Sequence, residues 1–293
     1  MIKRIVEIGN PARLSLSNQQ LVIERQGQGT ATVPVEDLGL LILDHQGIAY
    51  TQAVMSACWK HNVHVLLCDD KHLPGAVLLP LDGHSLQSRT MAQQIKISEP
   101  VRKRLWQAIV RAKITGQART LQSTKGSAGP LLAMAAKVRS GDPSNVEAQA
   151  ARFYWQQLFG EDFRRGNDEE HLNGLLNYGY AIVRTACARA LVGAGLHPSF
   201  GLHHHNQYNS FCLADDLVEP LRPQVDMTVY RLGRNGVKEG LTKEHKQSLL
   251  ELLARTCSIG SLRLPLMESL HHYAASLRQV MCGEDRHLAI PEL

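Results

Sequence analysis

The stretch GLHHHNQYNSFCLADDLVEP, residues 201 to 220, gathers His203, His204 and His205, Asn206 and Asn209, and then Asp215, Asp216 and Glu219. A hydrophobic core has no use for so many polar side chains in one run. A metal ion does. FCLADDLVEPLRP reads as a short helix ended by Pro220, which puts Asp216 and Glu219 at i and i+3 on one face, where they can share an ion. The polar run before it suits a loop that carries imidazoles towards those acids. Two carboxylates and one imidazole, with water in the remaining positions, make an oxygen-dominated set suited to Mg²⁺ or Mn²⁺, whereas zinc takes more nitrogen or sulfur. Spacing alone leaves open which of the three imidazoles takes part.

A third carboxylate lies upstream. Asn145 is placed to cap a helix in which Glu147 shares a face with Ala150, Ala151, Tyr154 and Leu158. On that apolar side a carboxylate needs a partner, either an arginine from another helix or a shared cation. Further on, Asn173 and Asn177 lie one helical turn apart, as do Tyr180 and Arg184. These could hold a phosphate or pair with neighbouring groups, while Gly174 and Gly179 would let another helix approach closely. No G-x-S-x-G elbow, phosphate-binding loop or dinucleotide fingerprint competes with the metal reading.

Two kinds of element must position these groups. Residues 2–8, 12–16, 20–25 and 30–35 are short, alternating or β-branched runs separated by Gly, Asn or Pro, and 38–44 and 63–69 are more continuously apolar and so deeper strands. Thr51 to His61 has helical spacing, with Val54, Met55, Cys58 and Trp59 available to one face, and 75–85 offers a last strand before a linker around 84–92. From there the apolar period becomes helical, over 101–122, 129–140, 145–159, 171–195, 242–255 and 266–281. The expected architecture is α+β: a small, mainly β domain over 1–87, then a larger all-α domain over 88–293.

Charge divides along the same line. Residues 1–87 hold 6 Lys/Arg against 8 Asp/Glu, and residues 88–293 hold 26 against 19. In the basic half, Lys96, Arg102, Lys103, Arg104, Arg111, Lys113 and Arg119 face a single acid, Glu99. Such a segment either attracts nucleic acid or is a solvated helix face, and its residue types alone leave both open. Arg184 is a further candidate DNA contact. The six cysteines are scattered without a C-x-x-C pair, so reduced, mostly buried thiols are expected. No leader and no membrane-length apolar run is seen, which points to the cytoplasm and away from a membrane.

DPSNVEAQAARFYWQQLFG, LNYGYAIVRTACAR and FGLHHHNQYNSFCLADDLVEPLRPQVD resemble, in order and spacing, the defining motifs of the CRISPR-associated DNA integrase family, in details such as NQYN and LADDLVEP its type II members. CDDKHLPGAVLLPLDGHS is similar to the join between that family's β and helical domains, so the resemblance covers nearly the whole chain. It implies a metal-dependent integrase and endonuclease that joins the 3′-hydroxyl ends of short duplex DNA, the prespacer, to the repeats of a CRISPR array. It places the metal ligands on Glu147, His204 and Glu219, with Asp216 a supporting acid in the catalytic set. His204 follows from the register Phe200-Gly201-Leu202-His203-His204. Val218 and Leu221 stand where members often have Met and Phe, a change of packing. The resemblance also implies Mg²⁺ or Mn²⁺, a homodimer, and a small ferredoxin-like partner bridging two such dimers. A metal-dependent nuclease that only cuts DNA, and a non-catalytic DNA-binding scaffold with a structural cation, are the alternatives. Joined strands would exclude both.

Overall fold

The structure, a computed structural model, describes residues 4–70, 72–80, 83–166, 171–234 and 240–292, and the chain divides into two compact units, Met1–Gly83 and His84–Leu293. The first unit is built on β1 (Arg4–Ile8), β2 (Ala12–Ser17), β3 (Gln20–Arg25), β4 (Gly29–Pro34), β5 (Leu38–Leu43), β6 (Ile48–Tyr50), β7 (His64–Cys68) and β8 (Pro74–Leu78). They form two four-stranded sheets, ordered β4-β3-β2-β6 and β1-β5-β7-β8. The run LGLLIL of β5 does not alternate because it lies parallel between β1 and β7 and is buried throughout. β2 and β3 do alternate, and turn Leu14, Leu21 and Ile23 into a core shared with Ile8, Leu41 and Val65. Their two-residue turn is Asn18-Gln19, with φ of 48° and 61°. α1 (Gln52–Lys60) adds Val54, Ala57 and Cys58 to that core. Trp59, expected on the same face, is exposed, since five residues beyond Val54 a helix has turned well away from it. The last expected strand is shorter than its apolar run. Residues 2–3 and 81–82 of the expected strands lie outside the described residues.

The second unit comprises α2 (Gln87–Ile95), α3 (Glu99–Lys125), α4 (Gly129–Lys137), α5 (Val146–Phe159), α6 (His171–Gly193), α7 (Cys212–Val218), α8 (Arg222–Gly233), α9 (Lys243–Leu250) and α10 (Leu266–Met281). The 27-residue α3 is its spine, burying Leu105, Trp106, Ile109, Val110 and Ile114. α6 is buried on nearly every side. At Gly179 a Cβ would fall 2.5 Å from Val225 Cγ1, so only glycine lets α8 lie this close, whereas nothing stands within 4 Å of the equivalent position on Gly174.

Three features depart from the sequence expectation. α2 occupies most of the supposed linker, burying Thr90 and Gln94. Pro220 does not end the helical course: it sits in a 3₁₀ turn, Glu219–Leu221, whose first residues need no donor, and α7 runs through that turn into α8. The unit is also not wholly α, because β9 (Thr256–Ile259) and β10 (Leu262–Pro265) form an antiparallel hairpin around Gly260-Ser261. Cys58, Cys187, Cys212 and Cys257 are buried free thiols. No helix among the described residues is long and apolar enough to cross a membrane.

Candidate active site

α5 is started by Asp142, not by Asn145. The two carboxylate oxygens of Asp142 accept the N–H groups of Val146 and Glu147, each at 2.9 Å, while Asn145 takes a left-handed conformation and caps nothing. This fixes the first turn, and with it Glu147, at the margin of the side that buries Val146, Ala150, Tyr154 and Leu158. Glu219 lies in the 3₁₀ turn and is only 4% exposed. Between the two carboxylates stands Lys113 of α3, itself 7% exposed. Its ammonium pairs with Glu147 Oε1 and lies 2.5 Å from Glu219 Oε2, an ion pair outside hydrogen-bond angles. On the other side of Glu219, Arg222 Nε donates to Oε1 at 2.9 Å.

Charge explains the ionisation. Burial pushes the Glu219 carboxyl up, but Lys113 and Arg222 outweigh it and bring its pKa down to about 2. Burial likewise pushes the Lys113 ammonium down, and Glu219 and Glu147 more than reverse this, leaving it above the ordinary lysine value. Glu219 and Lys113 are therefore both charged at neutral pH.

The three histidines have three different fates. Asp216 of α7 is completely buried, and its carboxylate accepts the N–H groups of Leu202 at 2.5 Å and of His203 and His204 at 3.2 Å. The same carboxylate binds His204 Nδ1 at 2.7 Å. A carboxylate only accepts, so Nδ1 carries the proton and, in the neutral ring, Nε2 carries the lone pair. That hydrogen bond to Asp216 raises the His204 pKa above its ordinary value despite partial burial. His203 instead stacks flat on Trp106, with ring centroids 4.1 Å apart, and burial lowers its pKa. His205 is exposed and bonds through Nδ1 to the carbonyl of His203. Asp216 thus shapes the loop and orients one imidazole, while Glu219, three residues on, pairs with Lys113 and Arg222. The loop folds back so tightly at Gly201 that a Cβ there would run into the His204 carbonyl.

Several supporting residues carry no sequence signal of their role. Gln94 of α2 grips the approach to the loop, accepting from His197 N at 2.8 Å and donating to the carbonyls of His197 and Phe200 at 2.9 and 3.1 Å. Arg222 lies over the Tyr180 ring at 4.4 Å, and the hydroxyls of Tyr180 and Tyr154 both donate to the buried Asp226. Burial raises the Asp226 pKa to about 7 in spite of those donors. Helical neighbours of Tyr154 and Asp226 would have hinted at this network, but nothing in spacing distinguishes it from ordinary core. Asn173 and Asn177 accept from Arg165 at 2.7 and 2.6 Å, and Asn173 also ties down Gly166 N, which makes them anchors of the loop after α5.

The basic run, which begins at the end of α2 and continues along α3, is divided by the helix. Lys96, Arg102, Lys103, Arg104, Arg111 and Arg119 are exposed, with Lys103 paired to Glu99 at 2.6 Å, Arg111 donating to the Val138 carbonyl and Arg119 paired to Glu292. Lys113, expected among them, is not on that surface, because its position on α3 faces the buried side and the two glutamates. Arg184 lies 3.8 Å from Asp215 and over the Phe211 ring. A cavity of about 380 Å³ lined by Arg102, Lys103, Trp106, His203 and His205 opens beside the histidine loop.

Do these residues fit a divalent ion? Glu147 and Glu219, from separate elements, already converge on one cation, the Lys113 ammonium, and His204 is held in the tautomer a metal ligand needs. The donor chemistry therefore fits Mg²⁺ or Mn²⁺. Among the described residues no three His, Cys, Asp or Glu side chains are gathered closely enough to hold an ion as they stand.

Solved structures share this fold, two of them as follows. A casposase bound to integration product superposes with a TM-score of 0.80 over 98% of this chain and 92% of that one, at 19% identity. A Cas6-RT-Cas1–Cas2 complex gives 0.76 over 99% of this chain and 36% of that one, at 18% identity. In sequence, residues 6–256 match the family described as CRISPR associated protein Cas1. The chain is 39% identical over 297 positions to the CRISPR-associated endonuclease Cas1 of Neisseria meningitidis serogroup C (strain 8013), covering 100% of this chain and 97% of that protein. The chain belongs to the Cas1 family.

Proposed function

We propose that this protein is a metal-dependent DNA integrase of CRISPR adaptation, joining the 3′-hydroxyl ends of short duplex DNA to a CRISPR array by strand transfer, with an endonuclease activity at the same site. The observation that carries the reading is the convergence of Glu147 and Glu219 on one cation beside an imidazole oriented by Asp216. Glu147, His204 and Glu219 hold Mg²⁺ or Mn²⁺, and Asp216 keeps His204 in place. When bound, the ion stabilises the charge that builds on the attacking and leaving oxygens of an in-line phosphodiester exchange. The chain's own groups do the rest. Asp142 and Gln94 fix the helix and loop that carry Glu147 and His204, and Arg222 holds Glu219 ionised and aimed. The exposed Arg102, Lys103 and Arg104, with Lys96, Arg111 and Arg184, hold the DNA phosphates and align the attacking 3′-hydroxyl.

The names of the relatives support the setting: one structural neighbour was solved with an integration product, another in a complex with Cas2. We take the Cas partner of this chain to be a small ferredoxin-like protein, and residues 1–87 to carry the contact between two copies. The test is a strand-transfer assay with a short duplex and a repeat-containing plasmid, in Mg²⁺ and in Mn²⁺. Joined products are expected, and exclusive cutting would replace the integrase by a nuclease.

A further inference from the structure

Lys113 is the buried member of an otherwise exposed basic run, and its ammonium reaches two carboxylates that come from different elements, Glu147 on α5 and Glu219 in the 3₁₀ turn. The oxygens are assigned one by one. Glu219 Oε1 is taken by Arg222 Nε, so Oε2 is the atom left for any other cation, and Oε2 is the atom Lys113 faces. Glu147 offers Oε1 to the same ammonium. An ion bound to oxygen at about 2.0–2.1 Å, as Mg²⁺ is, cannot share those two atoms with an ammonium in contact with them, since the two positive charges would also touch each other. Lysine has a flexible four-carbon stem and can withdraw; a planar guanidinium held in a fork could not do so as readily.

We propose that Lys113 is a positioning residue that competes with the divalent ion: it holds Glu147 and Glu219 together while no ion is bound, and it must turn aside when one enters. The proposal rests on the metal reading of Glu147, His204 and Glu219. Its consequence is that Lys113 weakens the site's affinity for the metal while keeping two closely placed carboxylates paired in the metal-free protein.

Mn²⁺ binding to the full chain, measured by calorimetry without DNA, tests this directly. K113M should bind Mn²⁺ about tenfold more tightly than the wild type, within the range by which groups around a metal site tune affinity. Equal or weaker binding by a folded K113M would overturn the proposal. E147Q and E219Q are the controls for the underlying reading. If they lose Mn²⁺ while K113M gains nothing, only the competition is wrong; if they bind Mn²⁺ as the wild type does, the metal reading fails and the proposal falls with it. Should K113M not fold, the wild type supplies the second measurement. Acetic anhydride should label Lys113 faster in Mn²⁺ than in EDTA, read by mass spectrometry of its peptide, and an unchanged rate would overturn the proposal.

Discussion

His204 differs from its neighbours in what holds it. His203 is spent on Trp106 and His205 points to solvent, whereas the His204 ring is tied by Nδ1 to a buried carboxylate that also gathers three backbone N–H groups. An asparagine at 216 would turn an amide nitrogen towards some of those donors. Asp216→Asn should therefore lower the strand-transfer rate by about 10–100-fold, as loss of a partner that orients a metal ligand does, with the fold kept by circular dichroism. His204→Ala should abolish transfer, and His203→Ala and His205→Ala should retain most of it. A dead H205A beside an active H204A would contradict the assignment. The residue types of this loop were legible in the sequence because no other chemistry uses so many ligands in one run, and Glu147 because a carboxylate on an apolar helix face needs a partner. The role of Lys113 was not, since a lysine inside RKRLWQAIVRAK reads as part of a solvated basic face until the helix phase is known.

The elements behind the site carry a titration of their own. Asp226 of α8 is locked between α5 and α6 by Tyr154 and Tyr180, and burial raises its pKa to about 7. A carboxyl with a raised folded pKa favours the folded state when protonated, so its contribution is complete below about pH 3.8 and is lost as pH rises through about 7. Glu219, lowered to about 2, behaves oppositely: its contribution is present above 4.5 and lost only as pH falls through about 2. Between pH 5 and 7, in EDTA, unfolding free energy should fall with pH, with a slope of at most about 1.4 kcal/mol per unit from this one proton. Asp226→Asn should flatten that slope in urea titrations; an unchanged slope would exclude Asp226 as its source. At this scale the sequence was legible where an apolar period ran long, as in α3, α5 and α6. It misled where a side-chain bond replaced apolar burial, as in α2, whose buried Gln94 is polar, and at Pro220, whose ring is tolerated in a first turn. The β9–β10 hairpin had a signal, Gly-Ser between two short runs, but the helical spacing up to Arg255 masked it.

Over the whole chain the charge excess lies in the second unit, which leads to a prediction about salt as well as sequence. Duplex affinity should fall steeply with salt and vary little between unrelated sequences, and reversing Arg102, Lys103 and Arg104 to Glu should weaken binding to all of them. Unchanged binding by that variant would make the run a solvated surface only. In the first unit, β4 is an exposed edge strand beside β3. Such an edge is a ready template for pairing with another chain, and a homodimer through residues 1–87 is expected by light scattering at micromolar concentration; a monodisperse monomer would contradict it. The central claim, that Glu147, His204 and Glu219 form one metal-dependent strand-transfer site, is tested most directly by the joining of a 3′-hydroxyl duplex end to a repeat-containing plasmid in Mn²⁺, followed for the wild type and for E147A, H204A and E219A. The account predicts covalently joined product from the wild type and none from any of the three, with duplex binding intact in each. Joining that persists in any one of them, or cutting without joining by the wild type, would contradict it.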